Sequence, residues 1–239
     1  MWDEKLTESL KHVRAGRTFT RGEMNERGRI MILPRLYAIL DAGLVPDKAA
    51  QLRMAQEIAD AGVALIQYRN KTGSPREILD QARALRQALP ENITLILNDR
   101  ADLCLAAEFN GVHVGQDDLS PAAVREIIGP DHWLGVSTHN PEQVREANDT
   151  DADYIAIGPI FPTRSKANPD PVVGVGGILR ARELTRKPLV AIGGITRENC
   201  RSVVEAGADS VAVISGLLGG PNGSPRAATE HFLRLFTSA

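Results

Sequence analysis

Cysteine is scarce in this chain of 239 residues: Cys104 and Cys200 are the only two, far apart and in no Cys-x-x-Cys pair. A disulfide scaffold and a zinc ribbon are therefore excluded as organising features. Long hydrophobic runs are also missing. The mean hydropathy is -0.18, and no segment approaches the roughly 18 apolar residues that a bilayer span requires. The first residues carry no apolar stretch like that of a signal peptide, and Asp3, Glu4, Glu8, Glu23 and Glu26 argue against a transit peptide. A cytoplasmic location is expected. Neither charge dominates: 28 Lys and Arg stand against 30 Asp and Glu, a formal net charge of -2. A general nucleic-acid or anionic-membrane binder would show a basic excess. A local basic pocket for a small phosphorylated ligand remains open. No Gly-x-Gly-x-x-Gly follows the first strand-like run, and Gly174-Val175-Gly176-Gly177 fails as a dinucleotide fingerprint because Leu179 stands at its last position. No Ser/His/Asp arrangement or reactive cysteine suggests covalent catalysis.

What is present is a repeated unit. Residues 1–30 form a charged extension in which Trp2, Leu6, Leu10 and Val13 could stripe a short helix. Beyond it, short β-branched runs alternate with Ala-, Leu-, Glu- and Arg-rich helical stretches. Strands are predicted at Leu36–Leu40, Leu65–Tyr68, Thr94–Leu97, Gly111–Val114, Leu134–Val136, Tyr154–Ile157, Leu189–Ile192 and Ser210–Ile214. Helices are predicted near Lys48–Ala61, Pro75–Leu89, Ala101–Glu108, Pro121–Ile128, Pro141–Ala147, Ile178–Leu184, Arg197–Ala206 and Arg226–Phe236. Ser74-Pro75, Ser120-Pro121 and Asn140-Pro141 each place a capping side chain before a proline suited to the first helical turn. Strands that are apolar on both faces and joined by helices imply a parallel sheet. Eight such units favour a closed (β/α)8 TIM barrel over residues 31–239, with an open doubly wound sheet as the alternative.

Barrels of this kind work at the C-terminal ends of their strands. Gln67, Arg69 and Lys71 alternate along one extended segment and so share one side, which favours anion binding over solvated loop charges. Asp99 ends the third strand, and Asp117 and Asp118 follow the fourth. Asp99 and Asp118 could each instead be a helix cap. Two converging carboxylates, however, need a cation between them, and oxygen ligands without His or Cys favour Mg²⁺ shared with substrate phosphates. Spacing alone does not choose between Asp117 and Asp118. Gly193-Gly194 and Ser215-Gly216 close the last two strands where many barrels cradle a phosphate, although they could merely make tight turns. The long loop from Pro159 to Gly174 carries Thr163, Ser165 and Lys166 over the same mouth. Two anion sites in one mouth suit two phosphorylated substrates joined with loss of pyrophosphate.

Six segments in register resemble the thiamine phosphate synthase family. They are Leu36–Asp41, Gln67–Lys71, Asn98–Asp102, Gly111–Asp118, Gly135–His139 and Gly158–Thr163. The resemblance implies coupling of 4-amino-2-methyl-5-pyrimidinylmethyl diphosphate to a thiazole phosphate, giving thiamine phosphate and pyrophosphate. It assigns Gln67, Arg69, Lys71, Asn98 and Ser137 to the pyrimidine diphosphate. Mg²⁺ falls to Asp99 and Asp118, the departing pyrophosphate to Lys166, and the thiazole phosphate to Thr163, Ser165, Gly194, Ile214 and Ser215. Arg69, Lys71, Ser137 and Lys166 would be catalytic. The family reaction is dissociative and needs no general base. Ser165 departs from the usual threonine but keeps the hydroxyl. The partners implied are small molecules, with no oligomeric state indicated. Two alternatives keep the fold: a thiazole tautomerase-like relative, for which His139 is the matching feature, and a non-catalytic ligand-binding barrel.

Overall fold

The computed structural model describes residues 31, 33–163, 170–219 and 223–237. Eight parallel strands close into a barrel in chain order, β1 to β8. They are β1 Leu36–Asp41, β2 Leu65–Arg69, β3 Thr94–Asn98, β4 Gly111–Val114, β5 Trp133–Thr138, β6 Tyr154–Ile157, β7 Leu189–Ile192 and β8 Ser210–Val213. Pairing of Leu36 with Val211 and Ala38 with Val213 closes the ring, so the open-sheet alternative is excluded. The helices are α1 Lys48–Asp60, α2 Pro75–Ala88, α3 Ala101–Ala106, α4 Pro121–Ile128, α5 Pro141–Asn148, α6 Val175–Leu184, α7 Cys200–Glu205 and α8 Pro225–Thr237, with a 3-10 turn at Ser215–Leu217.

Strand alternation sorts the side chains into two cores. Leu36, Ala38 and Leu40 of β1 join the large cluster between barrel and helices. Tyr37 and Ile39 point inward with Leu65, Ile96, Tyr154, Ala156, Val190 and Ala212. Met31 and Leu33, just before β1, are buried in that interior cluster. Ser74, Ser120 and Asn140 cap α2, α4 and α5 as expected, each accepting the backbone N–H three residues on. The Ser74–Glu77 pair completes a reciprocal capping box.

Two helix starts differ from the sequence expectation by three residues, and the other boundaries by no more than two. Helix α6 begins at Val175 rather than Ile178, with Gly174 at φ 73° before it. Gly177 belongs to the helix because a Cβ there would lie 2.1 Å from Val173 Cγ1. Helix α7 begins at Cys200, since residues 197–199 form a turn in which Asn199 Oδ1 accepts the Thr196 N–H at 2.8 Å.

Candidate active site

The C-terminal mouth of the barrel holds a cleft of about 770 Å³, counted with the open space above it. Its floor is apolar or aromatic, with Tyr37, Ile39, Ala156, Val190, Ile192 and Ala212. Among the expected residues, Gln67, Arg69, Asn98, Ser137, Thr163 and Ile214 line it. Gly194 and Ser215 do not line it, although their neighbours Gly193 and Ile214 do, and Lys71, Asp99 and Asp118 do not line it either. Ser165 and Lys166 lie outside the described residues.

The polar side chains are held by specific partners. Arg69 Nη1 is paired with Asp41 Oδ2, and both side chains are largely buried. Asp41 Oδ1 also accepts the Gly43 N–H at 2.8 Å. Strand register explains this anchor, because Asp41 and Arg69 are directly paired positions on β1 and β2. Asn98 Nδ2 is buried without a hydrogen-bond partner in the protein, although its residue lines the cleft. A buried orphan donor is costly unless a ligand completes it.

The aspartates expected to meet do meet. The carboxyl groups of Asp99 and Asp118 stand close enough to interact, and Lys71 Nζ lies 2.5 Å from Asp99 Oδ2. Burial, together with the Asp118 carboxylate and against the pull of Lys71, raises the Asp99 pKa. Burial opposes ionisation of Asp118 too, but the bonds from Asp99 and the Gly115 N–H prevail and lower it. Neither aspartate is a helix cap: Ser120 caps α4, and α3 has no side-chain cap. Asp117 is solvent-exposed, which leaves Asp118 as the partner. Asp99 has φ 64°, a left-handed conformation that Asp and Asn tolerate better than other non-glycine residues. Its N–H bonds the His113 carbonyl of β4 at 2.8 Å, and this bond fixes where the carboxylate stands.

Gly193 and Gly194 have φ 99° and 64°. A Cβ at Gly194 would lie 2.5 Å from Pro162 O, and one at Gly193 2.6 Å from Pro159 Cα. These glycines let the loop after β6 pack down onto β7, so the tight-turn explanation accounts for part of their presence. His139 is held on both sides, with Nδ1 2.6 Å from Gly158 O and Nε2 3.3 Å from Asp170 Oδ2.

Four residues were given no role by the sequence: Tyr37 and His113, which line the cleft, and Tyr154 and Asp41, which hold residues that line it. The aromatics resemble ordinary core residues, and Asp41 sat in a turn weighed only as a nucleotide fingerprint. Register between β1 and β2 could have found Asp41.

The model of the family described as thiamine monophosphate synthase (TMP-TENI) matches residues 36–217. The chain belongs to this family. It is 59% identical over 209 residues to the thiamine-phosphate synthase of Koribacter versatilis, covering 86% of this chain and 97% of that one. It is 44% identical over 185 residues to that of Shouchella clausii, covering 77% and 88%. Among solved structures, thiamine phosphate pyrophosphorylase from Pyrococcus furiosus superposes with TM-score 0.76 at 33% identity, covering 85% of this chain and 96% of that one. The match spans every strand of the barrel. A family that transfers a group through a cleft of this kind accounts for the inward-facing polar set.

Proposed function

We propose that the protein couples 4-amino-2-methyl-5-pyrimidinylmethyl diphosphate to 4-methyl-5-(2-phosphoethyl)thiazole, forming thiamine phosphate and pyrophosphate. The observation that carries this reading is the carboxylate pair Asp99–Asp118, with Lys71 on it, beside a cleft whose buried polar groups point inward.

The chemistry follows from those groups. The bond between the pyrimidine methylene and the diphosphate oxygen breaks heterolytically, and the electron pair leaves with pyrophosphate. Arg69 and Lys71 oppose the charge that builds on that leaving group. Gln67, Asn98 and Ser137 bind the pyrimidine, and the apolar floor shields the cationic methylene from water. The thiazole ring nitrogen then supplies its lone pair to the methylene carbon. It carries no proton, so no general base is required. Thr163, Ser165, Gly194, Ile214 and Ser215 hold the thiazole phosphate, and Lys166 follows the departing pyrophosphate.

Asp99 and Asp118 would suit Mg²⁺, because two neighbouring carboxylates are hard oxygen donors that a cation would relieve of mutual repulsion, with phosphate oxygens and water to complete the shell. When bound, the ion supplies charge neutralisation on the diphosphate. A cytoplasmic setting accords with small soluble substrates.

The deciding experiment supplies both substrates with Mg²⁺ and looks for thiamine phosphate and pyrophosphate in equal amounts. Absence of the product would overturn the reading in favour of a tautomerase-like or non-catalytic barrel.

A further inference from the structure

A chain of side-chain hydrogen bonds crosses the floor of the cleft and surfaces at both ends. Gln67 Nε2 donates to Tyr37 Oη at 2.7 Å. Tyr37 Oη lies 2.9 Å from Tyr154 Oη, and Tyr154 Oη lies 3.1 Å from His113 Nδ1. His113 Nε2 lies 2.8 Å from Ser137 Oγ. Tyr37, Tyr154, Gln67 and His113 are all buried, and all of the five residues except Tyr154 line the cavity.

Proton counting gives the chain one direction. A phenol has a single proton to donate. Burial pushes both tyrosines well above the ordinary phenol range, so each keeps that proton. Tyr37 already accepts from Gln67. If Tyr154 also donated to Tyr37, the Tyr37 proton would be left buried with no acceptor in the chain, which is costly. Tyr37 therefore donates to Tyr154, and Tyr154 donates to His113 Nδ1. The imidazole then carries its proton on Nε2 and donates to Ser137 Oγ. Ser137 is left with its own proton to offer to the cleft, and Gln67 with its Oε1 as an acceptor.

We propose that the Tyr37–Tyr154–His113 relay is a specificity device that sets Gln67 as an acceptor and Ser137 as a donor, and so selects an aminopyrimidine edge. Such an edge offers one exocyclic amine N–H and one adjacent ring-nitrogen acceptor. The corresponding 4-oxo pyrimidine offers the opposite pair, a carbonyl acceptor and a ring N–H, and meets like against like at both ends. The relay is built into the fold. Gly135 of β5 runs between the two rings, and a Cβ there would lie 2.1 Å from Tyr154 Cζ and 2.4 Å from His113 Nδ1. The His113 and Tyr154 rings stack with centroids 5.5 Å apart. Tyr37, Tyr154 and His113 are positioning residues, acting through Gln67 and Ser137.

This inference rests on the cleft being an aminopyrimidine site. Its test compares kcat/KM for the 4-amino and 4-oxo pyrimidine diphosphates in the wild type and in Tyr154→Phe, with thiazole phosphate and Mg²⁺ present. Phenylalanine keeps the ring but breaks the relay, so His113 and Gln67 can each present the opposite polarity. The wild type is expected to favour the amino substrate by about 100-fold or more, and the variant to narrow that ratio about tenfold or more. Equal loss on both substrates would mean a merely structural role and overturn the inference. NMR of the histidine ring nitrogens, assigned with His113→Asn, gives a second readout. The expected signature is a bare Nδ1 and a protonated Nε2 in the wild type, and the reverse tautomer there would also overturn the inference. A wild type that forms no thiamine phosphate would remove the underlying function together with the inference. Turnover with an unchanged ratio would remove the inference alone.

Discussion

Asp99 shows how one backbone angle limits which substitutions are informative. At φ 64° an alanine would add strain to the loss of the carboxylate, whereas asparagine keeps both the left-handed geometry and the shape. Asp99→Asn and Asp118→Asn are therefore the useful variants. Each is expected to lower kcat/KM by about 100-fold or more with an unchanged circular dichroism spectrum, and titration with Mg²⁺ should no longer restore the rate. Full activity in both would refute the metal assignment. Asp41 makes a different argument. It is the buried partner of Arg69, so Asp41→Asn leaves a largely buried guanidinium without its counter-charge. The free protein should lose about 2 kcal/mol of stability. Added pyrophosphate, a substitute counter-charge for Arg69, should then raise the melting temperature more in the variant than in the wild type. An equal rise in both would show that Arg69 does not receive the diphosphate.

At the scale of elements, the even strands carry a recurrent fastening at the end of the barrel opposite the mouth. The residue just before β4, β6 and β8 accepts a backbone N–H from the strand before it. Asn110 Oδ1 takes Leu95, Asp153 Oδ2 takes Leu134 and Asp209 Oδ2 takes Leu189, each at 2.8 Å. Arg125 and Arg182 neutralise the two aspartates. Arg125 also donates to the carbonyls of Gly129, His132 and Asp151. Arg125→Leu would strand all of these acceptors and leave Asp153 buried and unpaired, at a cost of about 3 kcal/mol. A fall in melting temperature of roughly 9 °C is expected, with kcat unchanged at low temperature because the fastening lies away from the cleft. The strands themselves were legible because each is a short β-branched run buried on both faces, and the Ser-Pro and Asn-Pro pairs marked three helix starts. The start of α6 was not legible. Gly174, Gly176 and Gly177 are poor helix formers; the positive φ of Gly174 and the close approach of Val173 to Gly177 explain two of them, and nothing in the structure explains Gly176. The charged strand ends were legible for a similar reason, since Arg69, Lys71, Asp99 and Asp118 have no place in a barrel core. Tyr37, His113 and Tyr154 were hidden because a buried polar chain and an ordinary aromatic core read alike along the sequence.

For the whole molecule, a net charge of -2 conceals a division of labour around one mouth. In the proposed reaction the pyrimidine and diphosphate would be held from the ends of β2 to β5, with Lys166 added from the segment after β6, and the thiazole phosphate from the segments after β6 to β8. The two halves rest on different supports. Behind β8, Phe232 of α8 is fully buried in the outer core, and its Cζ would lie 3.4 Å from a Cβ at Gly216 within the 3-10 turn. That turn follows Ile214, which lines the cleft. Phe232→Ala opens a cavity behind the turn and is expected to cost about 4 kcal/mol, which lowers the melting temperature by about 10 °C. The loss should also be felt unevenly at the mouth. KM for the thiazole phosphate should rise several-fold as the Ser215–Leu217 turn loosens, while KM for the pyrimidine diphosphate stays within twofold of wild type, since its ligands rest on β2 to β5. Steady-state kinetics with each substrate varied in turn, well below the new melting temperature, separates the two. An equal rise in both KM values would show that the mouth responds as one unit and that the thiazole phosphate is not held by the β8 turn.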